Sequence, residues 1–370
     1  MMYCTKKILI ISYIIREKTG GGAINQRNID VIKRLCNNVS VLYIDPLNPK
    51  VHVPLWTRLW DRIQGIFSGL SKPYIEEIRQ CLISEQPDIV FINQSLLGVL
   101  AQITRASLPQ ATVITFFHNC ESHYYASQYR TQWWNPIALL NLLSSRKAES
   151  KAARYSHLLA AMNKRDAVHI QRLYHKNIHV LLPTSITDQG TFPYTPSSPQ
   201  APLELLFVGY RFFANVHGIT WFCKEVMPQV PQARLTIVGR DMENERHRLE
   251  APNVHVIGTV EDLTPYYCSA DMVVSPIFIG SGMKTKTAEA LMYGRPLLAT
   301  NEALEGYDIH PENIGALCNT SSEFIESILY YQGHKNELIT KSTNARALFL
   351  SQYSHTVILQ RFAQLLKQIA

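Results

Sequence analysis

The chain has 370 residues, 46% hydrophobic and 18% charged, which excludes a disordered or fibrous protein and suits two globular domains of about 150 to 200 residues. The formal charge of +7 is a modest excess with no dense basic run, so nucleic acid is not an expected partner, whereas anionic small molecules or an anionic membrane surface are. The seven cysteines (Cys4, Cys36, Cys81, Cys120, Cys223, Cys268 and Cys318) are scattered and form no CxxC pair, so they read as reduced, buried thiols in a cytoplasm.

Lys6 and Lys7 precede an apolar run, 8–15, that superficially resembles a signal peptide. It lacks a small-residue cleavage site and runs into Gly20, Gly21 and Gly22 and a helical pattern, so it reads as a first strand. No run of about 18 apolar residues occurs, and no transmembrane span is expected. Strand patterns at 7–13, 39–44, 88–93, 112–117, 158–162 and 178–182 alternate with helical patterns such as 23–35, 74–84 and 135–154. That alternation predicts a parallel sheet with helices on both faces.

Segment 54–73 carries Leu55, Leu59, Ile63, Ile66 and Leu70 at helical spacing, with Trp56, Trp60 and Phe67 broadening the face and Arg58 and Arg62 off it. It reads either as a helix packed on the sheet or as one lying in a membrane interface beside a lipid-linked substrate; the packed helix is the expectation. Gly65 and Gly69 weaken the helix in both cases.

Segment 183–202, with five prolines, reads as a linker. Strand patterns then resume at 203–208, 235–238, 254–260, 272–277, 297–299 and 314–317, with helical patterns at 216–225 and 263–269. The last stretch, 321–370, reads as helices. The expected domains are 1–190, 203–350 and a terminal helix, 351–370, that braces the first domain.

The richest stretch is 276–300, PIFIGSGMKTKTAEALMYGRPLLAT. A strand opens into Gly280, Ser281 and Gly282, a helix is expected over 283–293, Gly294 stops it, and a further strand follows Pro296. A glycine turn feeding a helix N-terminus offers free N–H groups to a phosphate, and Lys284 and Lys286 add charge. Glu289 lies one turn beyond Lys286. Phosphate would repel that carboxylate, so its natural partner is a hydroxyl pair such as a ribose.

The ordered pieces FVGYRFFANVHGITWFCKEVMPQV, LTIVGR and NVHVIGTVEDLTPYYCSADMVVSPIFIGSGMKTKTAEALMYGRPLLATNEALEGY, spread over 207–307, resemble the large family 4 group of retaining glycosyltransferases. The resemblance implies the GT-B fold, two Rossmann-like domains facing each other across a cleft, with C-terminal helices crossing back to the first. It implies transfer from a nucleoside diphosphate sugar to a glycan or lipid-linked glycan, in bacterial surface polysaccharide synthesis. No cofactor or metal is implied; the location is the cytoplasm or its membrane face. Glu289 would hold the donor ribose. Family members usually carry a second glutamate eight positions earlier, where this chain has Ser281 in a Gly-Ser-Gly loop.

A leaving nucleoside diphosphate develops negative charge, which cations and oriented N–H groups must meet. Arg211 and Lys286 are the expected cations, with Arg240 and Lys284 behind them. The family usually places a lysine a few residues after the arginine, where Asn215 and His217 stand here. The remaining donor contacts implied are Gly209, Val260, Gly280, Ser281, Gly282 and Met283. Gly21 and Gly22 match the family's first loop near the donor phosphates or acceptor. His118, ending the fourth strand in TFFHNCESHYY, matches a histidine that contacts the donor sugar; Glu121 and His123 are its nearby competitors.

Three other readings are open. A nicotinamide oxidoreductase would use the glycines at 20–22 with Asp45 for the ribose, although Asn25 stands where the third glycine of GxGxxG belongs and the turn after Tyr13 is too long. The others are a sugar nucleotide epimerase on the same fold and an inert partner in a polysaccharide assembly complex.

Overall fold

A computed structural model describes residues 5–14, 20–67, 69–198, 200–280 and 282–369. The chain forms two compact units: one runs up to Pro183 and regains the chain from Ile358, the other spans Thr184–Val357.

Unit 1 contains β1 (Ile8–Tyr13), α1 (Gly20–Leu35), β2 (Val39–Ile44), α2 (Leu55–Ile63), α3 (Lys72–Glu85), β3 (Ile89–Ile92), α4 (Gly98–Ser107), β4 (Thr112–Phe117), α5 (Glu121–Thr131), α6 (Pro136–Tyr155), β5 (Leu158–Ala161), α7 (Lys164–Tyr174) and β6 (Val180–Leu181). Its six strands pair in parallel in the order β2-β1-β3-β4-β5-β6. β1 and β3 are almost wholly buried, as strands covered on both faces must be, which is why they read as unbroken apolar runs. The start of α5 is capped from outside. Buried Glu149 on α6 accepts from the Glu121 and Ser122 amides at 2.8 and 3.0 Å and from the Ser122 and Tyr174 hydroxyls, so a neighbouring helix supplies the cap.

Unit 2 contains β7 (Leu203–Val208), α8 (Phe213–Glu225), β8 (Ala233–Val238), α9 (Arg246–Leu249), β9 (Val254–Gly258), α10 (Thr264–Ser269), β10 (Met272–Ser275), α11 (Thr285–Met292), β11 (Leu297–Ala299), α12 (Pro311–Ile314), β12 (Gly315–Leu317), α13 (Ser321–Gly333) and α14 (Glu337–Leu348). Its six parallel strands run β12-β11-β10-β7-β8-β9. After a single turn of π-helix, Phe349–Tyr353, α15 (His355–Lys367) carries the chain into unit 1. There the Phe362 ring packs on Phe91, with centroids 5.9 Å apart, and Arg361 donates to the Leu181 carbonyl.

Several details differ from the sequence expectation. Segment 183–202 is no free tether, because unit 2 binds it down. Lys335, 4% exposed, donates to Ser197 Oγ and to the Ser198, Ala201 and Pro202 carbonyls, and the Tyr194 hydroxyl donates to Asp271 at 2.7 Å. Proline punctuation cannot reveal such anchors. The helix expected over 54–73 ends at Ile63, and Gly65 and Gly69 adopt φ of 73° and 86°. Its second half (Ile66, Phe67, Leu70) is buried, whereas Leu55, Trp56, Leu59, Trp60 and Ile63 are exposed. The apolar face of α2 is therefore not packed on the sheet. Gly20 to Gly22 form the first turn of α1 rather than a loop before it. Of the described cysteines Cys268 is exposed; Cys4 lies outside the described residues.

Candidate functional site

In a doubly wound sheet, ligands bind beyond the carboxyl ends of the strands where the strand order reverses. In unit 2 that point lies between β7 and β10, and most of the donor residues expected from the sequence converge on it. Gly209 follows β7, and Gly239, at φ 150°, follows β8. A Cβ on Gly239 would stand 2.1 Å from the Gly209 carbonyl, and one on Gly218 in α8 would stand 1.8 Å from that of Pro276. These positions admit no side chain, so the backbone segments at the strand ends approach closely.

Lys286 lies against this backbone. A Cβ on Gly209 would lie 3.1 Å from its Nζ. The ammonium donates to Asn215 Oδ1 at 2.6 Å and stands 4.7 Å from the centre of the Phe207 ring. Burial pulls its pKa down to about 7, the charge of Glu289 opposing and that of Lys284 adding to the fall. Asn215 is tied in turn to the Tyr210 carbonyl at 2.9 Å. The position that breaks the family pattern thus holds the partner that orients Lys286.

Glu289, one turn further along α11, accepts from the buried Tyr267 hydroxyl at 3.2 Å, and burial raises its pKa. Tyr267 stacks on Tyr293 with centroids 4.4 Å apart, and Arg295, 1% exposed, donates to the Tyr267 carbonyl. A carboxylate so held, with one oxygen engaged, suits recognition of paired hydroxyls. Sequence reading missed Tyr267; its signal was the doubled tyrosine in LTPYYCSAD, one of which turns fully inward.

α11 begins at Thr285, later than expected, so Met283 and Lys284 belong to the loop. Gly280 is in the same loop, Gly282 takes φ 69°, and Ser281 lies outside the described residues. Lys284 pairs with Glu302 and donates to the Gly282 carbonyl, while the Tyr307 hydroxyl donates to the Lys284 carbonyl at 2.6 Å. Lys284 therefore fastens the glycine loop, and its charge is largely spent on Glu302. Arg211 is bonded through Nε to buried Glu245 at 2.7 Å, which leaves it less available than the free cation expected. Arg240 is exposed, beside Asp241 and the Tyr210 ring. Val260 is half-buried against the unit 2 core. At the far end of α11, Gly294 at φ 61° stops the helix and Arg346 donates to the Met292 carbonyl, as cations at helix C-termini do.

In unit 1 the order reverses between β1 and β3, and the strand ends there are filled. Asn93, after β3, donates to Ser12 Oγ and the Asn25 carbonyl, and accepts from Asn28 at 2.8 Å. Buried Arg27 donates to Asn28 and to the Pro183 carbonyl, and burial lowers its pKa to about 9. His118 follows β4 and is 6% exposed, its ring edge-on to Phe116. Burial, then the Arg27 charge, pulls its pKa down to about 3, and a bond to the Asn93 backbone opposes this. The imidazole is neutral at physiological pH, and Nε2 has no hydrogen-bond partner. Glu121 has its pKa raised to about 8 by burial and by Glu149, and His123 stacks on His169 at 3.8 Å. Gly21 and Gly22 lie in α1. Asp45 accepts from the Leu47 and Asn48 amides, a turn cap rather than a free ribose acceptor. Among the described residues, no group of three or more His, Cys, Asp or Glu is arranged to hold a metal ion.

Residues 202–331 match the model of the family described as glycosyl transferases group 1, so unit 2 carries a glycosyl transferase group 1 domain and the protein is a glycosyltransferase. Among solved structures it is similar to HepE of Anabaena in complex with UDP, at 14% identity, TM-score 0.69, over 98% of this chain and 100% of that one. It is similar to the sucrose-phosphate synthase of Thermosynechococcus elongatus at 16% identity and TM-score 0.69, over 98% and 99% of the two chains. The lipopolysaccharide outer core galactosyltransferase WaaB, in its apo form, matches at 15% identity and TM-score 0.63, over 98% and 99%. At such identities the likeness shows the fold, which is GT-B. No curated protein matches the chain by sequence.

Proposed function

We propose that the protein moves a sugar from a nucleoside diphosphate sugar to a hydroxyl of a glycan or lipid-linked glycan, with retention at the anomeric carbon. The observation that carries this reading is the carboxyl end of the unit 2 strands, where Gly209 and Gly239 carry no side chain and α11 presents Lys286 and Glu289. Glu289 takes the ribose hydroxyls. Lys286, with the amides of the 280–283 loop, meets the charge that grows on the leaving diphosphate, worth most in a desolvated site. Uridine is the base assigned, by likeness to HepE, solved with UDP and with UDP-glucose.

In the step, the bond from the anomeric carbon to the diphosphate oxygen breaks and the acceptor oxygen bonds the same face. The acceptor proton passes to the departing phosphate, so no protein nucleophile is required. Neutral His118, bonded to the Asn93 backbone, would offer its unpartnered Nε2 as an acceptor to a donor sugar hydroxyl. The reaction would need no metal, its cationic work being done by Lys286, Arg211 and the loop amides. A role in bacterial surface polysaccharide synthesis is supported by likeness to WaaB. Among the described residues no helix is long and apolar enough to cross a membrane; the exposed tryptophans of α2 favour peripheral contact with the cytoplasmic membrane face.

The test is a panel of UDP-sugars with chelator present, reading released UDP and the anomeric configuration of the product. Release of UDP with retained configuration is expected. No nucleotide binding across the panel, together with a melting shift by NAD, would overturn the reading.

A further inference from the structure

Helix α2 is built the wrong way round for a globular protein. Its apolar stripe should face the core, yet Trp56 is 74% exposed while Asp61, on the opposite face, is 2% exposed. Polar bonds hold this orientation. Arg62 donates to Asn141 on α6 and stacks over Phe67, Ser144 donates to the Arg62 carbonyl at 2.7 Å, and Arg58 donates to the Val53 carbonyl at 3.2 Å. The apolar face is left outward by construction, and exposed Lys147 stands beside the turn that ends α2, where a Cβ on Gly65 would meet its Cβ at 2.9 Å.

The inward face lines a cavity of about 220 Å³, with Arg58, Asp61, Arg62 and Ser71 as its polar lining and Ile66, Phe67 and Leu70 among its apolar walls. No hydrogen bond of good geometry reaches either carboxylate oxygen of Asp61, and none reaches Ser71 Oγ, which is 3% exposed. The Lys72 charge and its backbone amide favour the Asp61 carboxylate, and burial outweighs both. Buried polar atoms left unpaired are costly, so the cavity is built for a polar guest. An anion is opposed by Asp61 and a cation by the two guanidiniums. Hydroxyl groups, which donate to a carboxylate and accept from a guanidinium, satisfy both. The space equals roughly seven water molecules, room for one ring-sized group rather than a whole glycan.

We propose that this cavity binds the hydroxyl-bearing headgroup of an amphiphile whose apolar chain lies along the Trp56, Leu59 and Trp60 face of α2. The protein thereby reads a lipid-linked acceptor at the membrane surface. This rests on the acceptor half of the reading above and deepens it. The occupant is an amphiphile because the tryptophan face and the polar cavity are two sides of one nine-residue helix, and basic Lys147 beside it complements an anionic bilayer.

Octyl glucoside, below its micelle concentration, is the probe, with free glucose and an octyl oligo-oxyethylene detergent as controls, read by calorimetry and tryptophan fluorescence. Octyl glucoside should bind at least about tenfold tighter than either control. Asp61→Asn should lower that affinity about tenfold, the loss of one charge-assisted bond, and Ser71→Ala should lower it less. Trp56→Ala with Trp60→Ala should reduce octyl glucoside affinity to that of glucose. Equal binding of both detergents, or octyl glucoside binding unchanged by Asp61→Asn and Ser71→Ala, would overturn the proposal. UDP binding, measured on the same samples, tests the donor site separately, so failure of one reading is distinguishable from failure of the other.

Discussion

Both units are doubly wound six-stranded parallel sheets, with different strand orders, and they treat the point where the order reverses in opposite ways. At the strand-order reversal of unit 1, Ser12, Asn28, Arg27 and Asn93 fill the strand ends with side chains that bond one another. At the reversal point of unit 2, Gly209 and Gly239 place no side chain there, and Lys286 and Glu289 are buried beside them. Filling a crevice with a closed polar network favours a fixed scaffold. Clearing it and stranding charges there stores a demand for a ligand, which suits catalysis and costs stability.

That contrast can be broken by experiment, beginning with the glycines. Gly239→Val, forced onto the Gly209 carbonyl at a backbone angle hostile to side chains, should destabilise unit 2 by about 3 kcal/mol in denaturant unfolding. A neutral outcome would mean the crevice is not glycine-cleared. Next come the two buried cations. Arg27→Ala should cost about 2–3 kcal/mol by stranding its carbonyl and amide partners, whereas Lys286→Met should leave the unfolding midpoint unchanged or higher while UDP affinity falls about 100-fold. Equal stability losses for the two would erase the difference between the units.

The pH dependences sharpen it. With a pKa near 7, Lys286 loses its charge between about pH 6 and about pH 8.5, so UDP affinity should fall about tenfold over that range and binding should take up a proton. Lys286→Arg should flatten the profile. His118 has the smallest expected effect. Its folded pKa of about 3 lies below the usual imidazole value, so its stability contribution is complete above about pH 6.5 and is lost as pH falls. His118→Gln should recover the roughly 1 kcal/mol of stability lost by about pH 6.

Much of this was legible in the sequence because parallel strands buried on both faces are continuous apolar runs, and all twelve observed strands were expected from such runs. The Gly280 to Gly294 punctuation likewise marked α11 to within two residues. What stayed hidden was partnership. Nothing local tells that Lys284 is spent on Glu302, that Asn215 orients Lys286, or that Tyr267 turns inward to Glu289, since each pair is separated by many residues and joined only by the fold. Periodicity gave α2 its apolar stripe correctly but not the direction the stripe faces, because amphipathicity fixes two faces and only tertiary bonds choose between them.

The most direct test of the account is a calorimetric titration of UDP into wild type and Glu289→Ala, with chelator present. Wild type should bind UDP, and Glu289→Ala should lose about 100-fold in affinity, the loss of two charge-assisted hydroxyl contacts, with an unchanged melting temperature. Equal UDP affinity in the two proteins would contradict the assignment of the unit 2 crevice as the donor site.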